Sequence, residues 1–376
     1  MSRARLHSPA MTTLSRPRAL LALALMSAPL LGCDTDEEPH DRPRTEAPVV
    51  TPPPEEAPVI RAERSMMSTV YQMTVVGDDE ARGQAAMGRA LDEIERLEDV
   101  LSEWRETSRV SAVNAAAGDH PVPVDDDTWS ILQTGVRVSN ETHGAFDLTW
   151  AALRGLYLFQ RGHERVPTDA EIAERLPLVG YQDIVMDAAA QTVFLRRAGM
   201  AIGTGGIAKG YALDRAEAML VEDGFPNFMI FGGGQVHLHG QRGNRPWRVG
   251  IQHPRRSDYI AFLDVSDASI STSGDYEHYF IDDEGRRWHH IIDLRTGRPA
   301  AETIQVTLIT RRGVDADALS TACFVMGPQR CLEVLPTLPE HPDVVIIDRD
   351  LRVHMTEGAR ARLTWRAELT DGRISL

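Results

Sequence analysis

The run Ile202-Gly203-Thr204-Gly205-Gly206-Ile207-Ala208-Lys209-Gly210-Tyr211-Ala212-Leu213-Asp214 constrains this chain more than any other stretch. Gly203, Gly205 and Gly206 permit φ > 0 and let a ligand approach bare backbone. Ile207 to Asp223 then reads as a helix, stopped by Gly224. A Gly-rich turn feeding a helix offers free N–H groups and a positive dipole end, which suits a phosphate. Lys209 falls one turn in and is the only lysine of the chain. The glycines alone fit a plain tight turn equally well; the single lysine favours an anion site. The spacing Gly203, Gly205, Ala208 lacks the third glycine of the dinucleotide fingerprint, and no βαβ pattern follows.

The chain ahead of this turn has three parts. Arg3, Arg5, Arg16 and Arg18 precede the apolar run from Ala19 to Leu31. That run is too short for a permanent membrane helix and reads as a signal peptide over 1–32. Leu30-Leu31-Gly32-Cys33 resembles a bacterial lipobox, in which the cysteine is lipidated and becomes the new N-terminus. An ordinary signal peptide with a chance cysteine is the plainer alternative. Residues 33–64, rich in Pro, Glu, Asp and Thr around Pro52-Pro53-Pro54, cannot bury enough apolar surface to fold. They read as a disordered tether, which places the protein on the periplasmic side of a bacterial membrane, held by a lipid anchor. The remaining 65–376 reads as one large domain. A net charge of −15 argues against nucleic acid as a partner. Cys323 and Cys331 can form a disulfide in an oxidising compartment, and two buried thiols fit as well.

Val70 to Val76 alternates as a strand. Asp79 to Trp104 reads as an amphipathic helix with Met87, Ala90, Leu91, Ile94, Leu97, Leu101 and Trp104 on one stripe. Asp127 to His143 is a second helix, capped by Asp127 and closed by Gly144. Asp169 to Leu176 is a short one. After the Gly-rich turn and its helix, strands dominate: 228–231, 236–239, 247–251, 260–265, 270–276, 288–293 and 304–310. Asp315 to Met326 reads as a helix. Mixed order with hairpin-length spacings indicates an α+β fold, largely antiparallel, with packed helices.

Three further clusters carry candidate chemistry. His289 and His290 are neighbours on a strand and point to opposite faces, so one of them can share a site. Asp317 and Thr321 are i and i+4 on a helix, so their oxygens face one way. Such oxygen ligands suit Mg²⁺, which takes few protein ligands and fills the rest with phosphate and water. An N-cap at Asp315 with a buried threonine is the plainer reading. Ser271-Thr272-Ser273-Gly274-Asp275-Tyr276 sets small hydroxyls at a turn.

Taken together, the runs GGIAKGYALD, TSGDYEHYF, HHIIDLRTGRP and DADALSTACFVMG resemble, in order and spacing, those of the FAD:protein FMN transferases, the ApbE family. Met67 to Tyr71, Leu101 to Trp104, Ser108 to Asn114, Gly144 to Asp147 and Pro246 to Ile251 resemble further family segments. The resemblance covers about Ser65 to Pro336. It implies an enzyme that binds FAD with Mg²⁺ and transfers FMN to a threonine or serine hydroxyl of an acceptor protein, releasing AMP. By position, it implies Asp317, Thr321 and the carbonyl of Gly206 as metal ligands. His290 becomes the base on the acceptor hydroxyl. Met67, Trp104, Ala145, Phe146, Asp147 and Lys209 fall at flavin-nucleotide contact positions. The chain departs from the family at Gly203-Thr204, where Asp-Leu is usual, at Leu294 in place of a proline, and at Gln235. A Mg²⁺-dependent FAD pyrophosphatase and a non-catalytic flavin-binding lipoprotein are the competing readings.

The leader generates the first testable expectation. Cys33→Ser should release the protein in soluble form or leave an uncleaved precursor, read by detergent partitioning and intact mass. Unchanged partitioning and mass would rule lipidation out.

Overall fold

The computed structural model of the protein describes residues 57–67 and 69–366. The signal peptide expected over 1–32, Cys33 and the tether up to residue 56 lie outside the described residues. The folded region opens with β1 (Val59–Met66), β2 (Thr69–Val76), α1 (Glu80–Leu101) and α2 (Arg109–Ala115). Then come β3 (Val122–Pro123), α3 (Asp126–Glu141), α4 (Asp169–Arg175), β4 (Ile184–Asp187), β5 (Thr192–Leu195) and α5 (Ala208–Glu222). A run of strands follows: β6 (Phe228–Gly232), β7 (Gln235–His239), β8 (Trp247–Gln252), β9 (Tyr259–Val265) and β10 (Ala268–Gly274). The short pieces β11 (Tyr279–Ile281), β12 (Arg287–His289), β13 (Ile292–Asp293) and β14 (Arg298–Pro299) lead into β15 (Thr303–Thr310) and α6 (Gly313–Val334). The described chain closes with β16 (Asp343–Asp348), β17 (Val353–Met355), α7 (Glu357–Arg362) and β18 (Leu363–Trp365).

The architecture is α+β. Its centre is an eight-stranded sheet in the order β1-β2-β6-β7-β10-β15-β16-β17, antiparallel at every pairing. Side chains alternate across a strand, so a strand covered on both faces must be apolar on both. β16 shows this: Val344 and Ile346 join the core under the helices, while Val345 and Ile347 join a second core on the opposite face. That second face is covered by the three-stranded sheet β18-β9-β8, through Trp247, Ile251, Ile260 and Leu263. β15, central in the sheet, is buried at all eight residues.

Helices α1, α5 and α6 pack on the first face. α1 is capped by Asp79, whose side chain accepts from the Arg82 amide, and buries Met87, Ala90, Leu91, Ile94, Leu97 and Leu101. It stops at Leu101, because Ser102 turns extended, so Trp104 is not on the helical stripe but in the loop beyond it. α5 and α6 approach so closely that a Cβ on Gly210 would stand 2.0 Å from the Gly313 carbonyl oxygen. The N-terminus of α6 is held from α5: Asp214 accepts from the amides of Gly313 and Val314. Asp315 is not that cap; it pairs with Arg137 and Arg312. Past its midpoint α6 kinks at Gly327, which has a φ of 76° and precedes Pro328. A disulfide between Cys323 and Cys331 spans the kink.

Several boundaries differ from those read in the sequence. Residues 59–64, assigned above to the tether, are the edge strand β1, paired with β2 from Val59↔Val76 to Met66↔Thr69. Ile60 faces the core while Arg61 and Glu63 face water, so a charged composition masked a two-residue alternation. The cap of α3 is Asp125, not Asp127. The expected strand 288–293 is broken between β12 and β13 at His290 and Ile291. None of Gly203, Gly205 and Gly206 has positive φ; Gly203 and Gly206 serve close packing instead.

Gly210→Ala tests the α5–α6 contact. Overpacking against a backbone carbonyl that cannot yield should cost about 2–3 kcal/mol of unfolding free energy, read by urea denaturation. A loss under about 0.5 kcal/mol would mean that the helices can part without cost.

Candidate active site

The Gly-rich turn is built by neighbours that fill the space a side chain would take. The Gly203 amide donates to the Leu148 carbonyl at 2.8 Å, and its own carbonyl accepts from Trp150 Nε1 at 3.1 Å. A Cβ at Gly203 would meet the Trp150 ring at 2.6 Å. The carboxylate that the family usually places there has no room. Thr204 is buried, and its hydroxyl reaches the Leu101 carbonyl at 2.7 Å and Glu103 at 3.0 Å. Its carbonyl accepts the amides of Ile207 and Ala208, at 2.9 and 2.8 Å, where α5 begins. The turn is thus pinned from the loop after α1.

The helix N-terminus holds an anion, and that anion is the protein's own. Asp317, on α6, is 5% exposed, and its Oδ2 accepts from the Gly210 amide at 3.1 Å. Its Oδ1 lies 3.6 Å from the Lys209 ammonium, which also donates to the Gly205 carbonyl at 3.1 Å. Thr321 stands one turn further on, with its Oγ1 3.5 Å from the Asp317 carbonyl oxygen and 3.8 Å from where a Gly206 Cβ would sit. Phe146 closes the other side of Gly206, at 3.3 Å from the same point. A buried carboxylate requires a compensating charge. Here one lysine shares itself between that carboxylate and a carbonyl. The donor set of carboxylate, hydroxyl and peptide carbonyl is all hard oxygen, which fits Mg²⁺.

The two histidines separate as their alternation requires. His289 is buried; its Nε2 lies 3.0 Å from the Ala300 carbonyl, its Nδ1 accepts from the Ile291 amide at 3.3 Å, and its ring packs edge-on to Phe324. Both its nitrogens are used inside the fold. His290 turns outward, with Nδ1 3.3 Å from the His278 carbonyl and no hydrogen bond to Nε2 from the described residues. Solvent reaches its ring, yet surrounding protein atoms desolvate it. That desolvation, then His278, His289 and the Lys209 charge, hold its pKa well below the ordinary histidine value.

The remaining expected contacts sort differently. Met67 has a φ of 48°, fixed by its amide donating to Glu98 at 2.9 Å, and its sulfur accepts from the buried Tyr71 hydroxyl at 3.2 Å. Trp104 is 69% exposed, with the Arg154 guanidinium 4.4 Å from its ring centre. Ala145 and Phe146 pack on the core, and the Phe146 amide donates to Thr142 at 3.2 Å. Asp147 has both oxygens engaged: Oδ1 by the Thr149 amide and hydroxyl, each at 2.7 Å, and Oδ2 by the Tyr181 amide at 2.9 Å. Burial raises its pKa against those donors. Its side chain organises the loop behind Phe146 through these three hydrogen bonds. Glu103, Trp150, Arg154 and His278 adjoin the site without having stood out in the sequence. Glu103 and His278 carried a signal, as members of the Leu101 to Trp104 and TSGDYEHYF segments.

A second acidic group lies outside this site. Ligand atoms of Asp214, Glu217 and His237 fall within 4.8 Å of one another. Each already has work in the fold: Asp214 caps α6, and Glu217 pairs with His237 and Arg311. Burial alone would raise Glu217, but those two hydrogen bonds hold it down at about 2. A concavity of about 380 Å³ between the β9–β10 turn and α7 shares no residue with either group.

An α+β enzyme with a buried carboxylate and a lysine meeting at a Gly-rich turn is the class that this fold and site define. Residues 67–346 match the model of the ApbE family, and the chain belongs to that family. The chain is 32% identical over 284 residues to a Klebsiella pneumoniae protein named FAD:protein FMN transferase, covering 75% of this chain and 88% of that one. The crystal structure of the ApbE protein from Thermotoga maritima superposes with a TM-score of 0.75 at 31% identity, over 81% of this chain and 99% of that one. The flavin transferase ApbE from Vibrio cholerae gives a TM-score of 0.70 at 27% identity, with 81% and 99% covered.

Gly203→Asp restores the usual family residue and should destabilise the fold by about 2–4 kcal/mol, through overpacking against Trp150 and burial of a carboxylate. Trp150→Ala in the same chain should recover part of that loss, because it vacates the space. Thermal denaturation of the single and double variants reads the coupling; additive losses would mean the two sites do not meet.

Proposed function

We propose that this chain transfers the FMN half of FAD to a threonine or serine hydroxyl of an acceptor protein and releases AMP. The observation that carries this reading is buried Asp317 set against Lys209 and the Gly210 amide, with Thr321 beside Gly206, in a chain of this family. Asp317, Thr321 and the Gly206 carbonyl would hold a Mg²⁺, which when bound supplies charge neutralisation at the pyrophosphate. Lys209 adds a positive charge fixed to the turn, where negative charge concentrates on the phosphate oxygens. The acceptor oxygen bonds to the phosphorus on the FMN side while the bond from that phosphorus to the bridging oxygen breaks, and AMP carries that oxygen away. The proton of the attacking hydroxyl passes to Nε2 of His290. Depressed basicity leaves that imidazole neutral and ready to accept at neutral pH. Nδ1 lies against the His278 carbonyl, which orients the ring. The leader pattern supports a periplasmic, lipid-anchored location for this activity.

The test incubates the folded chain with FAD, Mg²⁺ and a candidate acceptor protein and reads the acceptor's mass. Asp317→Ala should abolish the FMN adduct. His290→Asn should lower the transfer rate by about 10²–10⁴ with FAD binding retained, and His289→Asn much less. A base with a lowered pKa loses activity only as pH falls through that lowered value. The rate should therefore show no histidine-type decline between pH 8 and about 5.5. Equal losses at the two histidines, or FMN released without an acceptor adduct, would overturn the transfer assignment.

A further inference from the structure

Glu103 lies in the loop after α1 with its side chain buried. Its Oε2 is occupied by Thr204, whose amide donates at 3.3 Å and hydroxyl at 3.0 Å. Its Oε1 accepts no hydrogen bond from the described residues. That oxygen lies beside the exposed Gly205, 3.6 Å from where a Cβ would stand on that glycine. The next residue, Trp104, is 69% exposed and braced by the Arg154 guanidinium. Arg154 also donates to the Glu103 carbonyl at 3.0 Å, so ring and carboxylate are fixed to one frame.

We infer that Glu103 is a specificity-determining residue: its Oε1 accepts an N–H from the edge of a planar heterocycle seated at Trp104. The inference rests on the reading of FAD as substrate and adds which protein atom reads it. A carboxylate oxygen held in a buried side chain, with no internal donor, gains from a ligand N–H what it lacks from the protein. An exposed indole face supplies a stacking platform that tolerates any flat ring and cannot by itself discriminate. Gly205, without a side chain, leaves the approach to Oε1 open. A site built around such an acceptor rejects a ligand that lacks the donor. FAD carries two donors of this kind, the adenine 6-amino group and the flavin N3–H.

The experiment titrates the folded chain with three ligands, read by quenching of flavin and tryptophan fluorescence. They are FAD, its analogue with hypoxanthine in place of adenine, and FAD methylated at N3. The wild type should bind one analogue about 10–100-fold more weakly than FAD, and which one identifies the ring. Glu103→Ala should weaken FAD by a similar factor and bind FAD and that analogue alike. Glu103→Gln, nearly the same shape, can give its amide oxygen to Thr204 and turn its NH₂ to the ligand. If adenine is the ring read, its preference should shift toward the hypoxanthine carbonyl; if N3–H is read, discrimination against the methylated analogue should fall. Equal wild-type binding of all three ligands would overturn the assignment of Glu103, as would wild-type discrimination in Glu103→Gln. No FAD binding by the wild type at all would overturn the substrate reading, and this one with it.

Discussion

A carboxylate buried at the junction of two helices organises this protein. Buried Asp317 is met there by the Gly210 amide and the Lys209 ammonium, which offset the cost of burying a carboxylate. Both donors come from the first turn of α5, where the helix dipole also favours negative charge. The amide reaches Asp317 because Gly210 and Gly313 let α5 and α6 touch backbone to backbone. A β-carbon at either glycine would push the helices apart and leave a buried charge without its partner. The site and the helix packing are thus one construction. Its second tie is Asp214, which fixes the α6 N-terminus from the same helix, α5, and so sets where Asp317 and Thr321 fall.

The sheet beneath gives that construction a rigid floor. β15 runs under α6 buried along its whole length, with Val306 and Leu308 in one core and Ile309 in the other, so it cannot shift without breaking both. Ser271 and Ser273 of β10 reach up to the Ser320 hydroxyl, 3.2 and 2.9 Å away, between Asp317 and Thr321 of α6. The small hydroxyls that had little specificity as a sequence motif therefore tie the sheet to the helix that carries the site.

What was legible in the sequence follows from which forces act locally. The α+β class, the stripe of α1, the stop of α5 at Gly224 and the opposed histidines all rest on periodicity or backbone chirality, which a few consecutive residues reveal. The shared face of Asp317 and Thr321 follows from their i, i+4 spacing, whereas the approach of Gly206 to Thr321 was legible only through the family resemblance, since residues so far apart in the chain give no sign of their distance in space. Other errors have tertiary causes. Trp104 continued the helical period of α1, but Ser102 had already turned the chain toward Thr204. The three glycines of the turn suggested left-handed backbone, whereas Trp150 and Phe146, over fifty residues away, set the need for no side chain.

The single lysine among forty basic residues is accounted for by the same geometry. At position 209 the cation must stand 3.1 Å from one carbonyl and 3.6 Å from a carboxylate, against a turn of glycines. Gly233 packs on its stem, where a Cβ would come within 3.1 Å of Lys209 Cδ. An ammonium is a compact point charge that can divide itself between two oxygens in so small a space. A guanidinium is planar and wider, and would seek a bidentate partner that neither Gly205 nor Asp317, already bonded to the Gly210 amide, can offer. Arginines elsewhere bind carboxylates through the fork: Arg96 grips Glu93 through two nitrogens, Arg248 does the same for Asp264, and Arg255 for the buried Asp275. The contrast lies in the partner: each of those carboxylates offers both oxygens to one arginine, whereas Asp317 has one oxygen on the Gly210 amide and shares Lys209 with the Gly205 carbonyl.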